Sequence, residues 1–177
     1  MKVETTRFGQ IDVPDEDIIK FPEGILGFNG NHEYVILNDP STEPLRWLQS
    51  LENPDLAFVI IDPLKFRDEY SIDLSDEEVE ALELQGPEEA IIYAIVVIPK
   101  EQPEKMTANL QGPIVINASK MIAKQVISTN SKHKLKHYVL DEMKAMLAST
   151  QKKFGKVTLN LNRKEKGPKK VNDGEVG

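Results

Sequence analysis

The apolar residues of this chain come in short runs, and nearly every run is stopped by proline, glycine or asparagine. Residues 3–8 alternate weakly until Gly9, and 10–13 end at Pro14. A short piece covers 18–21. Residues 34–37 close at Asn38-Asp39-Pro40, 47–51 at Asn53-Pro54, and 56–61 at Asp62-Pro63. Residues 90–98 form the strongest run, ended by Pro99. Two more, 106–110 and 113–117, flank Gly112-Pro113, and 122–128 follow. Many short β-rich runs with such punctuation predict a closed or nearly closed antiparallel sheet. The expected class is mostly β, a small antiparallel barrel-like domain with short helical insertions. At 177 residues there is enough chain for one domain with a real core.

One helix interrupts the strands. Ser75 is placed to cap it, Glu78 completes a capping box, and Asp76 and Glu77 meet the positive end of the helix dipole. Val79 and Leu82 are spaced to face the core, and Gly86-Pro87 ends the segment. Near the C-terminus, Leu135, Val139, Met143, Met146 and Leu147 recur at helical spacing, which predicts a helix over 135–149. Residues 156–162 alternate and are expected as a further strand. From Arg163 the chain is polar and basic, the composition of a disordered tail.

Charge is unevenly spread. The chain holds 22 basic and 29 acidic residues, of which 8 basic and 3 acidic lie in 151–177. The first 150 residues therefore carry a net charge of −12. An acidic body repels nucleic acid and anionic membrane and steers basic proteins toward it. There is no cysteine, which excludes disulfides, thiolate metal sites and cysteine nucleophiles. No secretory signal opens the chain, and no apolar run approaches a membrane span. A soluble, cytoplasmic protein, monomeric when free, is expected.

Little here suggests catalysis. His133 and His137 stand four apart, but lysines lie between them and no third ligand is evident, so two surface histidines are expected and no metal or cofactor. No nucleophile elbow, P-loop or dinucleotide fingerprint is present. Carboxylate groups such as Asp76-Glu77-Glu78 look like solvated charge. A small-molecule barrel enzyme would need a deep pocket with convergent polar groups. The glycines of Gly24-Ile25-Leu26-Gly27 permit a tight bend that is expected to bring Ile25, Leu26 and Phe28 onto the core. Trp47, Gln49 and Leu51 share one strand face, which places Gln49 at a sheet edge or in an interface. The basic tail offers an alternative function, a small barrel that binds RNA through phosphate contacts, although it lacks interleaved aromatic residues.

Several motifs in order resemble the FliW family over about residues 1–138. They are Ile18-Ile19-Lys20-Phe21-Pro22-Glu23-Gly24-Ile25-Leu26-Gly27-Phe28, Leu48-Gln49-Ser50, and Leu56-Ala57-Phe58-Val59 with Asp62-Pro63. Ala108-Asn109-Leu110-Gln111-Gly112-Pro113-Ile114-Val115-Ile116-Asn117 follows, then Lys124-Gln125-Val126-Ile127. The resemblance implies a compact, mostly antiparallel β-barrel-like fold. It implies a flagellar assembly factor, not an enzyme, that binds two proteins. One is CsrA, a small basic RNA-binding dimer that represses flagellin translation; the other is flagellin itself. Residues 139–162 depart from the pattern as an extension, and 163–177 as the tail. Polar side chains within the apolar motifs either satisfy buried backbone or face a partner. Gln49, Ser50, Asn109, Asn117, Lys124 and Gln125 are the partner-binding candidates on that ground.

Overall fold

A computed structural model describes residues 1–160, with side chains described through Ser149. Ten strands and two α-helices form among the described residues. The strands are β1 (Lys2–Thr5), β2 (Gly9–Asp12), β3 (Ile19–Lys20), β4 (Glu33–Asn38), β5 (Arg46–Ser50) and β6 (Ala57–Ile61). They continue with β7 (Ala90–Val97), β8 (Thr107–Asn117), β9 (Ile122–Gln125) and β10 (His137–Tyr138). Helix α1 is Asp76–Ala81 and α2 is Val139–Asn160.

Seven strands close into a barrel. Their order is β8-β7-β6-β5-β4-β3-β9, and β9 pairs back onto β8. Every pairing is antiparallel except β3 with β9, where Lys20 lies opposite Ile122. The barrel is therefore mixed. Closure leaves these strands little free edge on which another chain could add.

Strand β8 closes the ring by bending. Sequence reading placed a turn at Gly112-Pro113, but the chain runs through it as one strand with a bulge. Tyr93 faces Ile114 while Ile95 faces Asn109, so extra residues of β8 are extruded there. Proline has no N–H for the ladder and fits such a bulge. The Asn109 Oδ1 accepts the N–H groups of Gln111 and Gly112, both at 2.9 Å, and so pins the corner. Beyond it, Ile114 to Asn117 pair with β9; before it, Thr107 and Ala108 pair with β10.

The largest core cluster includes Phe21, Tyr34, Leu48, Ile60 and Ile114. Phe21 meets Tyr34 edge-on at 5.0 Å between centroids. On the other face of β4 and β5, the β1–β2 hairpin buries Val3, Val13 and Val35 together. Phe8 packs edge-on to Trp47, and Arg7 lies 4.1 Å over the same ring. Both faces of β5 are thus covered, and β5 lies between β4 and β6 rather than at an edge. Gln49 therefore sits beneath a cover of this chain's own, not at a sheet edge.

Helix α1 has the expected capping box, with Ser75 Oγ accepting the Glu78 N–H at 3.1 Å and Glu78 returning the bond at 2.9 Å. It stops earlier than Gly86. Glu83 takes a left-handed φ of 54°, the Leu84 N–H reaches Val79, and the Glu83 N–H reaches Glu80. This pair of bonds is a Schellman ending. Helix α2 begins at Val139 and not at 135, because His137 and Tyr138 are drawn into β10. Residues 156–160, expected as strand, continue α2. A helix once nucleated propagates at one hydrogen bond per added residue, and that overrides weak alternation. Residues 161–162 and the basic tail lie outside the described residues.

Candidate interaction surface

The motif at Phe21–Phe28 folds into a bend that presents one apolar side chain outward. Phe21 is buried, and its carbonyl accepts the Gly24 N–H at 2.9 Å. Gly24 has φ of 70°, and a Cβ there would stand 2.7 Å from the Asn29 Cα. Only glycine fits that position. The Phe28 N–H closes the bend onto Ile25 at 2.6 Å. Ile25 goes into the core, as sequence reading expected, but Leu26 does not. It sits at the tip of the reversal and is 75% exposed, while Phe28 is 41% exposed with its ring edge against Phe58.

Three of the candidate residues gather around this bend. Gln125 accepts the Leu26 N–H at 3.0 Å and donates to the Gly112 carbonyl at 2.9 Å. It thus ties the bend to the β8 corner that Asn109 holds. Lys124 pairs with Glu23 at 2.7 Å, a contact that contributes little in water because Glu23 is mostly exposed. Gln125 lies opposite Ile114 on the face of β9 that buries Ala123 and is itself half-buried, while Ile127, beyond the strand, is 59% exposed. Leu26 and Phe28 form the exposed apolar part of this surface, with Gln125 bracing it from below.

The other three candidates are buried and hold turns. Gln49 points its Nε2 at the carbonyls of Ser50 at 3.0 Å, Leu56 at 3.2 Å and Pro54 at 3.3 Å. Its Oε1 has no hydrogen-bond partner among the described residues. Ser50 Oγ accepts the N–H groups of Glu52 and Asn53. Asn117 donates to Leu82 at 2.8 Å and Glu83 at 3.1 Å, and accepts from Ser119 and Lys120. It joins the end of α1 to the β8–β9 turn. Each satisfies backbone groups that strands and helix ends leave open.

The histidines are not the surface pair expected from sequence. Neither is on a helix; His133 is buried and His137 half-buried. His137 Nε2 accepts the Lys134 N–H at 2.9 Å, which leaves Nδ1 as the donor to Glu142 at 2.8 Å. Arg67 holds the same carboxylate at 2.7 Å. This cluster fastens the first turn of α2, with buried Val139, against the segment after β6. His133 lies 2.6 Å from Ser128 Oγ with the Tyr70 ring 4.6 Å away. Burial, then Arg67 and His137, hold the His133 pKa below its usual value. Among the described residues no three histidine or carboxylate side chains are grouped to hold a metal, and no helix is long and apolar enough to cross a membrane.

Sequence reading missed Leu26 and Ile127 as exposed positions. An apolar residue flanked by permissive glycines was the available signal for Leu26. Nothing local distinguishes Ile127 from its buried neighbour Val126.

Comparison with known proteins agrees with this architecture. The family model described as FliW protein matches residues 2–139. The flagellar assembly factor FliW of Ruminiclostridium cellulolyticum is 42% identical over 144 residues, covering 81% of this chain and 97% of that protein. That of Thermoanaerobacter pseudethanolicus is 43% identical over 145 residues, covering 81% and 96%. A crystal structure of the flagellar assembly factor FliW superposes with a TM-score of 0.73 at 38% identity, covering 78% of this chain and 96% of that one. With a family match across nearly the whole barrel and the same fold in a solved relative, the chain belongs to the FliW family.

Proposed function

We propose that this protein is a cytoplasmic, non-enzymatic flagellar assembly factor that binds CsrA and flagellin. Binding of CsrA would relieve its repression of flagellin translation, and binding of flagellin would compete for the factor and report on assembly. The observation that carries this reading is the Leu26 bend. A glycine-dependent turn braced by Gln125 presents Leu26 and the neighbouring Phe28 to solvent together, an apolar pair that a docking surface accounts for. Lys124, Gln125 and Asn109 shape that surface, which takes one of the two partners. Gln49, Ser50 and Asn117 act on it through the turns they hold. The acidic body favours a basic partner and disfavours RNA phosphates beside it.

Calorimetric titration with CsrA and with flagellin, each with and without the other, tests this. Binding of each with mutual interference is the expected result, and Leu26→Asp should weaken one partner at least tenfold. Binding of neither would overturn the proposal. Salt-sensitive RNA binding by the protein alone would favour the alternative of an RNA-binding barrel.

A further inference from the structure

The apolar surface at the Leu26 bend continues along the end of the barrel where β7 and β9 stop. Phe28 meets the Phe58 ring at 5.1 Å between centroids. Val59 pairs with Val96, so Phe58 and Val97, one position further out, share the other face of the sheet. Val97 then lies opposite Thr107, and Thr107 lies opposite Tyr138. Thr107 is buried between them, while Val97 is 63% exposed and Tyr138 48%. Leu26, Phe28, Phe58, Val97 and Tyr138 therefore form one band, which crosses the adjacent strands β6, β7, β8 and β10. At the usual strand spacing these four strands span about 14 Å, the length of roughly nine helical residues.

One end of the band is basic. Residues 130–138 hold three lysines and no carboxylate, although the first 150 residues carry a net charge of −12. Lys132, Lys134 and Lys136 are exposed and make no ion pair among the described residues. Lys105 adjoins Tyr138, with Glu104 beside it. At the Leu26 end, Glu23 is already paired with Lys124. The lysine loop is held in place. The Leu110 N–H donates to the Lys134 carbonyl at 3.0 Å, the Lys134 N–H donates to His137 Nε2 at 2.9 Å, and His133 is buried. The surface is thus formed before a partner arrives, so binding costs little ordering on this side.

We infer that this band binds an amphipathic segment of a protein partner, apolar along the face that crosses the barrel end and acidic at the tip that reaches the lysines. The band supplies the burial, and unpaired lysines at one end fix the direction of the segment and select acidic residues over basic ones. A phosphate chain could use the lysines but would leave the aliphatic band uncovered. Of the two partners proposed above, the basic one, CsrA, is disfavoured here, so the segment is flagellin's. The inference rests on the proposed function in that respect.

The test uses the full chain, its Val97→Asp variant, a Lys134→Glu/Lys136→Glu double variant and Leu147→Asp, each first checked for a wild-type melting transition. Leu147 is exposed on α2 and lies outside the band. Flagellin should bind wild type and the Leu147 variant alike, and the other two at least tenfold more weakly, while CsrA binds all four equally. Single-stranded RNA should not compete with flagellin. If flagellin binds but the band variants match wild type, or the Leu147 variant weakens equally, or CsrA weakens with flagellin, or RNA competes, the band inference fails while the proposed function stands. If flagellin does not bind wild type, the proposed function fails. The band is then judged with a designed helical peptide bearing leucines on one face and glutamates at one end. Binding that Val97→Asp abolishes and a lysine-ended peptide lacks supports the band; no binding overturns it.

Discussion

The side chain of Gln125 accepts the backbone N–H of Leu26 at 3.0 Å, across 99 positions of sequence. The same amide donates to the Gly112 carbonyl, so one side chain spans the exposed bend, β9 and the β8 corner. Gln125→Ala removes both bonds. Because the site is partly exposed, water replaces them and the stability loss should be only about 1 kcal/mol. Amide exchange at Leu26 should quicken at least tenfold, and binding of the partner that uses the bend should weaken. Gln125→Glu can still accept from Leu26 but cannot donate to Gly112, and should fall between. Unchanged exchange at Leu26 in Gln125→Ala would mean that the glycine bend holds itself.

Asn117 is fully buried and makes four bonds to backbone. Asn117→Leu leaves carbonyls of Leu82 and Glu83 and two turn N–H groups without it. The loss should be about 2–4 kcal/mol in urea unfolding, well above the Gln125 variant, because a buried group left unpaired keeps its full desolvation penalty. Exchange at α1 should rise with it. A loss below about 1 kcal/mol would show that water or the turn itself replaces the amide.

The Tyr34 hydroxyl is buried in the barrel with no hydrogen-bond partner among the described residues. Tyr34→Phe should therefore raise stability by about 1 kcal/mol, since it removes a buried polar group that gains nothing. Burial, with Glu52 adding to it, pushes the Tyr34 pKa up to about 12. The folded state then holds this proton more tightly than the unfolded chain. Its contribution is present below pH 10 and is lost between pH 10 and 12. Alkaline denaturation should be less steep in Tyr34→Phe. A destabilised variant would overturn this reading.

His133 gives a dependence of opposite sign at acid pH. Its folded pKa lies below the ordinary 6.5, so the unfolded chain binds the proton more readily. Stability should fall as pH drops below 6.5. Ser128, Tyr70, Arg67 and His137 surround the ring, and protonation would place a second cation near Arg67. Urea unfolding from about pH 7.5 to 5.5 should show this slope in wild type and a shallower one in His133→Gln. Equal slopes would assign the effect to other groups.

Much of the barrel was legible because its signals are local. Proline, glycine and asparagine stop strands wherever they stand, and the Ser75–Glu78 box starts a helix from four consecutive positions. Family motifs such as the Phe21–Phe28 bend are local in the same sense. The Gly112-Pro113 pair has the residue preferences of a turn and of a bulge alike; only pairing with β7 on one side and β9 on the other separates them. Leu26 read as core because glycine spacing predicts a bend but not which side chain lands at its tip.

Composition and order of residues by themselves thus determined a closed β architecture, an acidic body, the capped helix and the family. Tertiary structure alone decided the parallel β3–β9 closure, the burial of His133, and the burial of Gln49 beneath the β1–β2 hairpin. It alone decided which polar residues hold turns and which face outward. The physical reason is that a polar side chain in a strand has the same local preference whether its partner is a backbone carbonyl of this chain, as for Asn117, or a surface still open to solvent, as beside Leu26.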